Sequence, residues 1–253
     1  MDNSLLVAMS RQVTLERQMD VVANNIANLG TAGFKANSSV FGEFLNTVAQ
    51  ENDFPPADAP VHFVFDRTAY KNLGQGPVQQ TGNPLDVAIS GDGFLSVQTA
   101  AGERYTRNGG FMINAAGQLV TVDGAIVNGD NGPIVFQAND RNISISADGR
   151  IGVLEGLTNT ETQRGKLKLV TFAQPQRLQN EGANQFSAPA GLAAQPASAA
   201  VTVIQGAVEG SNVSGVREMT RMIEINRTYS LIASIMQTQG DTKTIDRLAD
   251  VPA

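Results

Sequence analysis

Residues 1–29, MDNSLLVAMSRQVTLERQMDVVANNIANL, place a seam residue at alternating steps of four and three: Met1, Leu5, Ala8, Gln12, Leu15, Met19, Val22, Ile26 and Leu29. Only Gln12 in that series is polar. A 3.5-residue repeat lays a narrow apolar stripe along one side of a helix, which suits a partner helix better than the broad face of a globular core. Asp2, Asn3 and Ser4 each carry a side-chain oxygen able to cap the free amides of the first turn. At ~1.5 Å per residue the helix is expected to run roughly 40 Å. Asn24, Asn25 and Asn28 lower helix propensity near its end, and Gly30 is expected to take the left-handed position that stops it. The three asparagines read either as a fraying end or as hydrogen-bonding groups at an interface.

The same spacing returns at the other end of the chain as Met222, Ile225, Tyr229, Ile232 and Met236, widened by Met219, Ile223, Leu231 and Ile235. Asn212 or Ser214 is expected to cap this second helix, Glu218 to favour its positive end, and Gly240-Asp241 to break or end it, with Thr242 to Ala249 able to add a frayed turn or two. Pairing the two stripes leaves Leu6, Met9, Val13, Leu231 and Ile235 as apolar residues for neighbouring subunits.

Between the helices the period changes. Residues 36–82 read as an extended connector. Val40, Phe41, Phe44, Leu45 and Val48 fit a short helical turn or loose packing, and Phe54-Pro55-Pro56-Ala57-Asp58-Ala59-Pro60 forbids regular structure. Residues 83–205 alternate with period two in short runs, separated by Gly91-Asp92-Gly93, Asn108-Gly109-Gly110, Ala116-Gly117, Asp123-Gly124, Asn128-Gly129 and Asp148-Gly149. Such turns supply the positive φ of tight hairpins, so an antiparallel β-domain is expected. The stretch Ala188 to Ala200 reads as a linker or surface loop. The fold class is therefore α+β, mainly β: an N-terminal helix in 1–35 and a C-terminal helix in 206–253 paired as a coiled coil, with the β-domain inserted between them.

Composition narrows the chemistry. A net charge of −6 and a pI near 4.8 argue against a nucleic-acid partner, because phosphate binding needs clustered Lys and Arg. There is no cysteine, hence no disulfide, thiol nucleophile or thiolate metal site. The N-terminus lacks the basic and uninterrupted apolar regions of a secretory signal, and no stretch approaches the ~18 apolar residues of a membrane span. His62, the only histidine, sits in a strand-like run and reads as structural. Gly91-Asp92-Gly93 and Asn128 to Gly132 lack the ligand spacing of calcium or phosphate loops. A carboxylate pair such as Glu103 and Asp123 is the most that a glycan-cutting enzyme would find here, and nothing in the sequence brings the two together. No cofactor and no metal are expected.

Four blocks then resemble a known family in order. Asp20 to Asn28 (DVVANNIAN) with Thr31-Ala32-Gly33-Phe34-Lys35 is similar to the N-terminal signature of the flagellar rod and hook axial proteins. Thr81 to Ile89 (TGNPLDVAI) with Gly91-Asp92-Gly93-Phe94, Tyr105 to Phe111 with Gly117 to Thr121, and Gly206 to Val213 with Met219 to Arg227 continue the likeness. Met1-Asp2-Asn3 and Ile245 to Ala249 look most like the proximal-rod branch, whereas Thr228-Tyr229-Ser230 departs from the aromatic-then-acid pattern of the relatives.

The resemblance implies a structural subunit of the basal-body proximal rod. It implies unfolded export through the flagellar type III apparatus without a cleaved signal. It also implies assembly in the periplasm, with copies of itself and other rod proteins, into a hollow shaft that transmits torque. In the family, terminal helices form an inner coiled-coil layer and the β-domain an outer one. The residues expected to carry subunit assembly are Leu5, Leu15, Met19, Val22, Asn24, Asn25, Ile26, Asn28, Met222, Ile225, Tyr229, Ile232 and Met236. The competing readings are a distal-rod or hook-type member, or a non-flagellar secreted β-domain binding module on a helical stalk.

Overall fold

A computed structural model describes residues 2–46, 61–156, 161–198 and 200–249, and side-chain surroundings in 8–38, 70–156, 161–198 and 200–238. The chain forms two compact units, the first containing both helices and one strand pair, the second built from 28–36 and 72–213. The class is α+β, with helices first and last and strands between.

In the first unit α1 spans Asp2–Ala27 and α2 spans Gly215–Ala249. Two expectations about helix ends change here. Gly30 is not the left-handed residue; Gly33 is, at φ 69°, after a turn in which the Thr31 amide donates to the Asn28 carbonyl. Gly240 does not break α2, which continues to Ala249, because one helical glycine costs only about 1 kcal/mol and can be outweighed. Ser214 precedes the first helical residue of α2, and Asn212, the alternative cap, has its side chain engaged in the second unit.

The expected connector is the larger correction. Asn37–Asn46 and Val61–Lys71 pair antiparallel with one register shift at Val40/Phe41, and both strands pack beside α1. Apolar residues in Val40 to Leu45 and Val61 to Phe65 are spaced for a strand as well as for a short helical turn, and the pairing partner decides. His62 lies on the second of these strands. The proline-rich stretch 54–60 falls outside the described residues.

The second unit is antiparallel throughout. Its main sheet runs Gln179–Gly182, Gln185–Ser187, Gly102–Thr106, Phe94–Thr99, Ile126–Gly129, Leu119–Thr121, Phe111–Ile113. Leu169–Thr171 joins Phe94–Thr99 and carries Gln195–Pro196, so the expected 188–200 linker contains a short paired strand. A meander of Asp140–Ile145, Arg150–Glu155 and Glu161–Lys166 stands as a separate sheet. Thr202–Gln205 pairs with Val87–Ser90, and Ala207–Glu209 with Val78–Gln80. The strand expected at Ile134 to Phe136 is reduced to a bridge between Val135 and Gln118. Gly102–Thr106 and Glu161–Lys166 escape the pattern because Gly-Glu-Arg and Glu-Thr-Gln-Arg-Gly-Lys carry little apolar alternation.

Two apolar clusters fill this unit. The larger gathers Val87, Ile89, Leu95, Val97, Phe111, Leu119, Val127, Ile151 and Leu167 among others. The smaller is aromatic: Phe94 meets Phe172 and Phe186 edge-on with centroids 5.8 and 5.9 Å apart, and Tyr105 meets Phe172 at 4.9 Å. Edge-to-face pairs of this kind add about 0.5–1.5 kcal/mol each beyond their area.

Arg164 clamps Asp140 across the meander, donating from Nε to Oδ2 at 2.8 Å and from Nη2 to Oδ1 at 2.5 Å. The Arg164 hydrogen bonds hold the Asp140 carboxyl below its usual 3.8. A carboxyl that is more acidic when folded contributes stability that is present above its unfolded value and lost as pH falls through the folded one. Urea midpoints of the wild type are therefore expected to fall more steeply than those of Asp140→Asn between about pH 5 and about pH 2, where the two curves converge. Parallel curves would remove Asp140 from the acid limb.

Candidate functional site

Helices α1 and α2 meet through apolar side chains. Leu15, Val22, Ile225 and Ile232 are buried together, with Ala8, Met19, Ile26, Met222, Tyr229 and Met236 packed partly buried around them. Gln12, the one polar member of the α1 stripe, meets the one polar member on α2: its Nε2 donates to the Tyr229 hydroxyl at 2.8 Å, and that hydroxyl donates to Glu16 Oε1 at 3.2 Å. A polar pair inside an apolar stripe favours one register, because sliding either helix strands both groups. Leu5 lies on α1, and its side chain is outside the described ones.

The three asparagines do something the spacing did not reveal. Asn25 is buried, donating from Nδ2 to the Asn37 carbonyl at 2.9 Å and accepting from the Asn37 amide at 2.8 Å. Asn24 Oδ1 accepts from Asn37 Nδ2 at 2.9 Å. Both asparagines thus anchor the start of the first strand to α1. Asn28 Oδ1 accepts from Thr31 Oγ1 in the turn after the helix. These bonds are made within the chain.

Sequence reasoning missed the most unusual feature of the second unit. Lys35, Arg107 and Glu209 have fully buried side chains and converge on one another. Lys35 Nζ donates to Glu209 Oε1 at 2.5 Å and to the Gly74 carbonyl at 2.7 Å, and Arg107 Nη1 donates to Glu209 Oε2 at 3.3 Å. The Gly76 amide donates to Glu209 Oε1, and the Gly33 amide to the Glu209 carbonyl. The Arg107 guanidinium lies 5.0 Å from the Phe94 ring centroid, a cation–π placement, while its Nε has no hydrogen-bond partner. Burial pushes the Lys35 ammonium to a lower pKa, and the hydrogen bond and charge of Glu209 oppose that without cancelling it.

Asn212 reinforces the same crossing. Its Oδ1 accepts from the Ala36 amide at 2.7 Å and its Nδ2 donates to the carbonyls of Asn72 and Gly74. Only glycine fits at two of the crossing points. A Cβ at Gly33 would stand 2.5 Å from the Asn108 nitrogen, and one at Gly76 would stand 2.1 Å from the Gly210 oxygen. The clue in the sequence was present but unreadable: Phe34-Lys35 after a glycine, Arg107 after a strand and Glu209 before a glycine are far apart in the chain.

The remaining candidates for chemistry are tied up structurally. Glu103 accepts from Ser96 Oγ at 2.6 Å and from Lys168 Nζ at 2.7 Å. Burial works against its charge, yet those bonds and the Lys168 charge leave it more acidic than usual. Among the described residues no group of three or more His, Asp or Glu is placed to hold a metal, and no helix is long and apolar enough to cross a membrane.

Comparison with known proteins identifies the family. Residues 5–35 match the flagella basal body rod protein family, 88–153 the D1 domain of the flagellar hook protein FlgE/F/G, and 204–243 the C-terminal part of the flagellar basal body rod FlgEFG proteins. The chain is similar to the flagellar basal-body rod protein FlgF of Caulobacter vibrioides, 37% identical across 99% of this chain and 100% of that protein. It is 34% identical to FlgF of Escherichia coli, covering 95% of each chain, and 32% identical to FlgG of Agrobacterium fabrum, covering 96% and 97%. The chain belongs to the flagellar basal-body rod protein family, with its likeness to the FlgF branch. That is a family of structural proteins, so this is a rod subunit and not an enzyme.

Gly33→Ala forces a side chain into a left-handed residue and against the Asn108 backbone. It is expected to lower the stability of the second unit by about 1–3 kcal/mol, read from urea denaturation of the full chain. An unchanged midpoint would mean that the crossing of 33–36 contributes nothing to stability.

Proposed function

We propose that this rod subunit belongs to the proximal rod and is one of the units of a hollow drive shaft that transmits torque in the periplasm. It leaves the cytoplasm through the flagellar type III export apparatus without a cleaved signal. The terminal helices act as a coiled coil, with the strand-rich segments inserted between them in sequence. The absence of cysteine suits passage through a narrow channel followed by folding on assembly.

One observation carries the assembly reading. With the seam closed, α1 and α2 still hold Met9, Val13, Met219, Ile223, Leu231 and Ile235 between 47% and 61% exposed. A helix pair that only needed to cover itself would carry polar residues there. A second apolar set on the same two helices fits contacts with neighbouring copies and other rod proteins, and contacts between unlike patches generate an open helical tube. Leu15, Met19, Val22 and Ile26, with Met222, Ile225, Tyr229, Ile232 and Met236, hold the subunit's own seam in register for those contacts.

The competing placement is the distal rod, favoured by the end-to-end likeness to a FlgG protein. Immunogold labelling along isolated basal bodies separates the two. Label at the membrane-proximal end supports this reading, and label at the distal end overturns it.

Ile232→Asp puts a carboxylate into the buried seam. In a strain lacking the native gene, the variant is expected to give no motility and no subunit in the basal-body fraction, while the purified chain keeps the thermal transition of its strand-rich unit. Motility equal to wild type would refute the seam as the basis of assembly.

A further inference from the structure

The apolar clusters of the second unit and its buried charges are built from different parts of the chain. Every buried member of both clusters comes from 87–203. The charged crossing instead joins 33–36, 72–76 and 209–212 through Lys35, Glu209, Asn212 and backbone groups; it meets the core segment at Arg107 and Asn108, and at 72–76 also through Gln75, bonded to Ile89 and Gly91, and Leu73, packed against the aromatic cluster. Apolar packing tolerates small shifts, whereas a buried polar network is either satisfied or open. The core has what it needs to persist when the crossing is undone.

The crossing is also less stable than its geometry allows. Two cations share one carboxylate, which leaves one surplus positive charge in the interior. Arg107 Nε is buried without a partner. Each feature subtracts from the closed state, since desolvated charge is repaid only by complete pairing. Covalent continuity makes 28–36 the way out of α1 and 210–213 the way into α2, so closing the crossing holds both exits on the strands at once.

We propose that Lys35, Arg107 and Glu209 form a latch that opens and closes as a unit separately from the apolar core, and that fixes the two chain segments leading to α1 and α2. Glu209 is its keystone, because both cations, the Gly33 amide and the Gly76 amide all meet it. Lys35 is its moving half, brought in by the left-handed turn at Gly33. An open latch leaves the two exits free of the strands, and a closed one makes them stiff. The inference rests on the second unit alone and stands apart from the rod-assembly reading.

Native-state hydrogen exchange of the full chain tests it. In the wild type the amides of Gly33, Ala36 and Gly76 are expected to share one opening and to exchange at least about tenfold faster than the core amides of Ser96 and Leu119. Glu209→Gln strands both cations and is expected to speed the first group by about a further hundredfold while leaving Ser96 and Leu119 unchanged. Lys35→Met leaves Arg107 and Glu209 as a balanced pair, so its effect is expected to be smaller than that of Glu209→Gln. Exchange of all five amides through one common opening in the wild type would overturn the latch, as would a Glu209→Gln protein in which all five rise together or none does. If Glu209→Gln fails to fold, the wild type and Lys35→Met decide: a common opening in both overturns the latch, and a separate faster opening in both supports it.

Discussion

One carboxylate, Glu209, draws together groups from three distant parts of the chain. Its side chain takes Lys35, Arg107 and the amide of Gly76, and its carbonyl takes the amide of Gly33. A buried ion pair is weak evidence for stability, because taking both charges out of water costs about as much as their attraction returns. Its contribution is specificity: an apolar contact at this position would accept several arrangements of 33–36, whereas the carboxylate accepts the one that presents an ammonium, a guanidinium and the Gly76 amide together. The glycines at 33 and 76 follow from that convergence, since the backbones approach too closely for any Cβ.

The helix pair obeys a different logic. Its buried seam is apolar and repetitive, and repetition alone does not choose a register. Gln12 and Tyr229 make the choice, with Glu16 completing the polar chain. Asn24 and Asn25 then fasten the following strand to α1 through Asn37. Polar residues within an apolar stripe are usually read as weaknesses, and here each one locates a neighbour. What the seam leaves in solvent is as informative as what it buries, because a structural subunit of a rod needs apolar surface that its own fold does not cover.

The apolar stripe of α1 between Ala8 and Ile26, its counterpart from Met222 to Met236, and the turn-punctuated alternation between Asp86 and Phe172 were all legible in the sequence because they are local and periodic. Side chains three, four or two residues apart share a face by geometry alone. The same locality explains the recognisable blocks around Asn24-Asn25 and Thr81 to Ile89. It also explains two errors: apolar residues between Val40 and Leu45 fit a strand as well as a helical turn, and Gly240 is a breaker only where packing does not outweigh it.

By itself, then, the sequence determined the two terminal helices, the β character of the middle and the family. Tertiary structure alone decided that Asn37–Asn46 pairs with Val61–Lys71, that Asn25 and Asn212 are internal clasps, and that Lys35 and Arg107 converge on Glu209. The physical reason is separation. A buried charge is tolerated only when its partner is in place, and Lys35 and Glu209 stand 174 residues apart, so only the folded chain brings the partner to it.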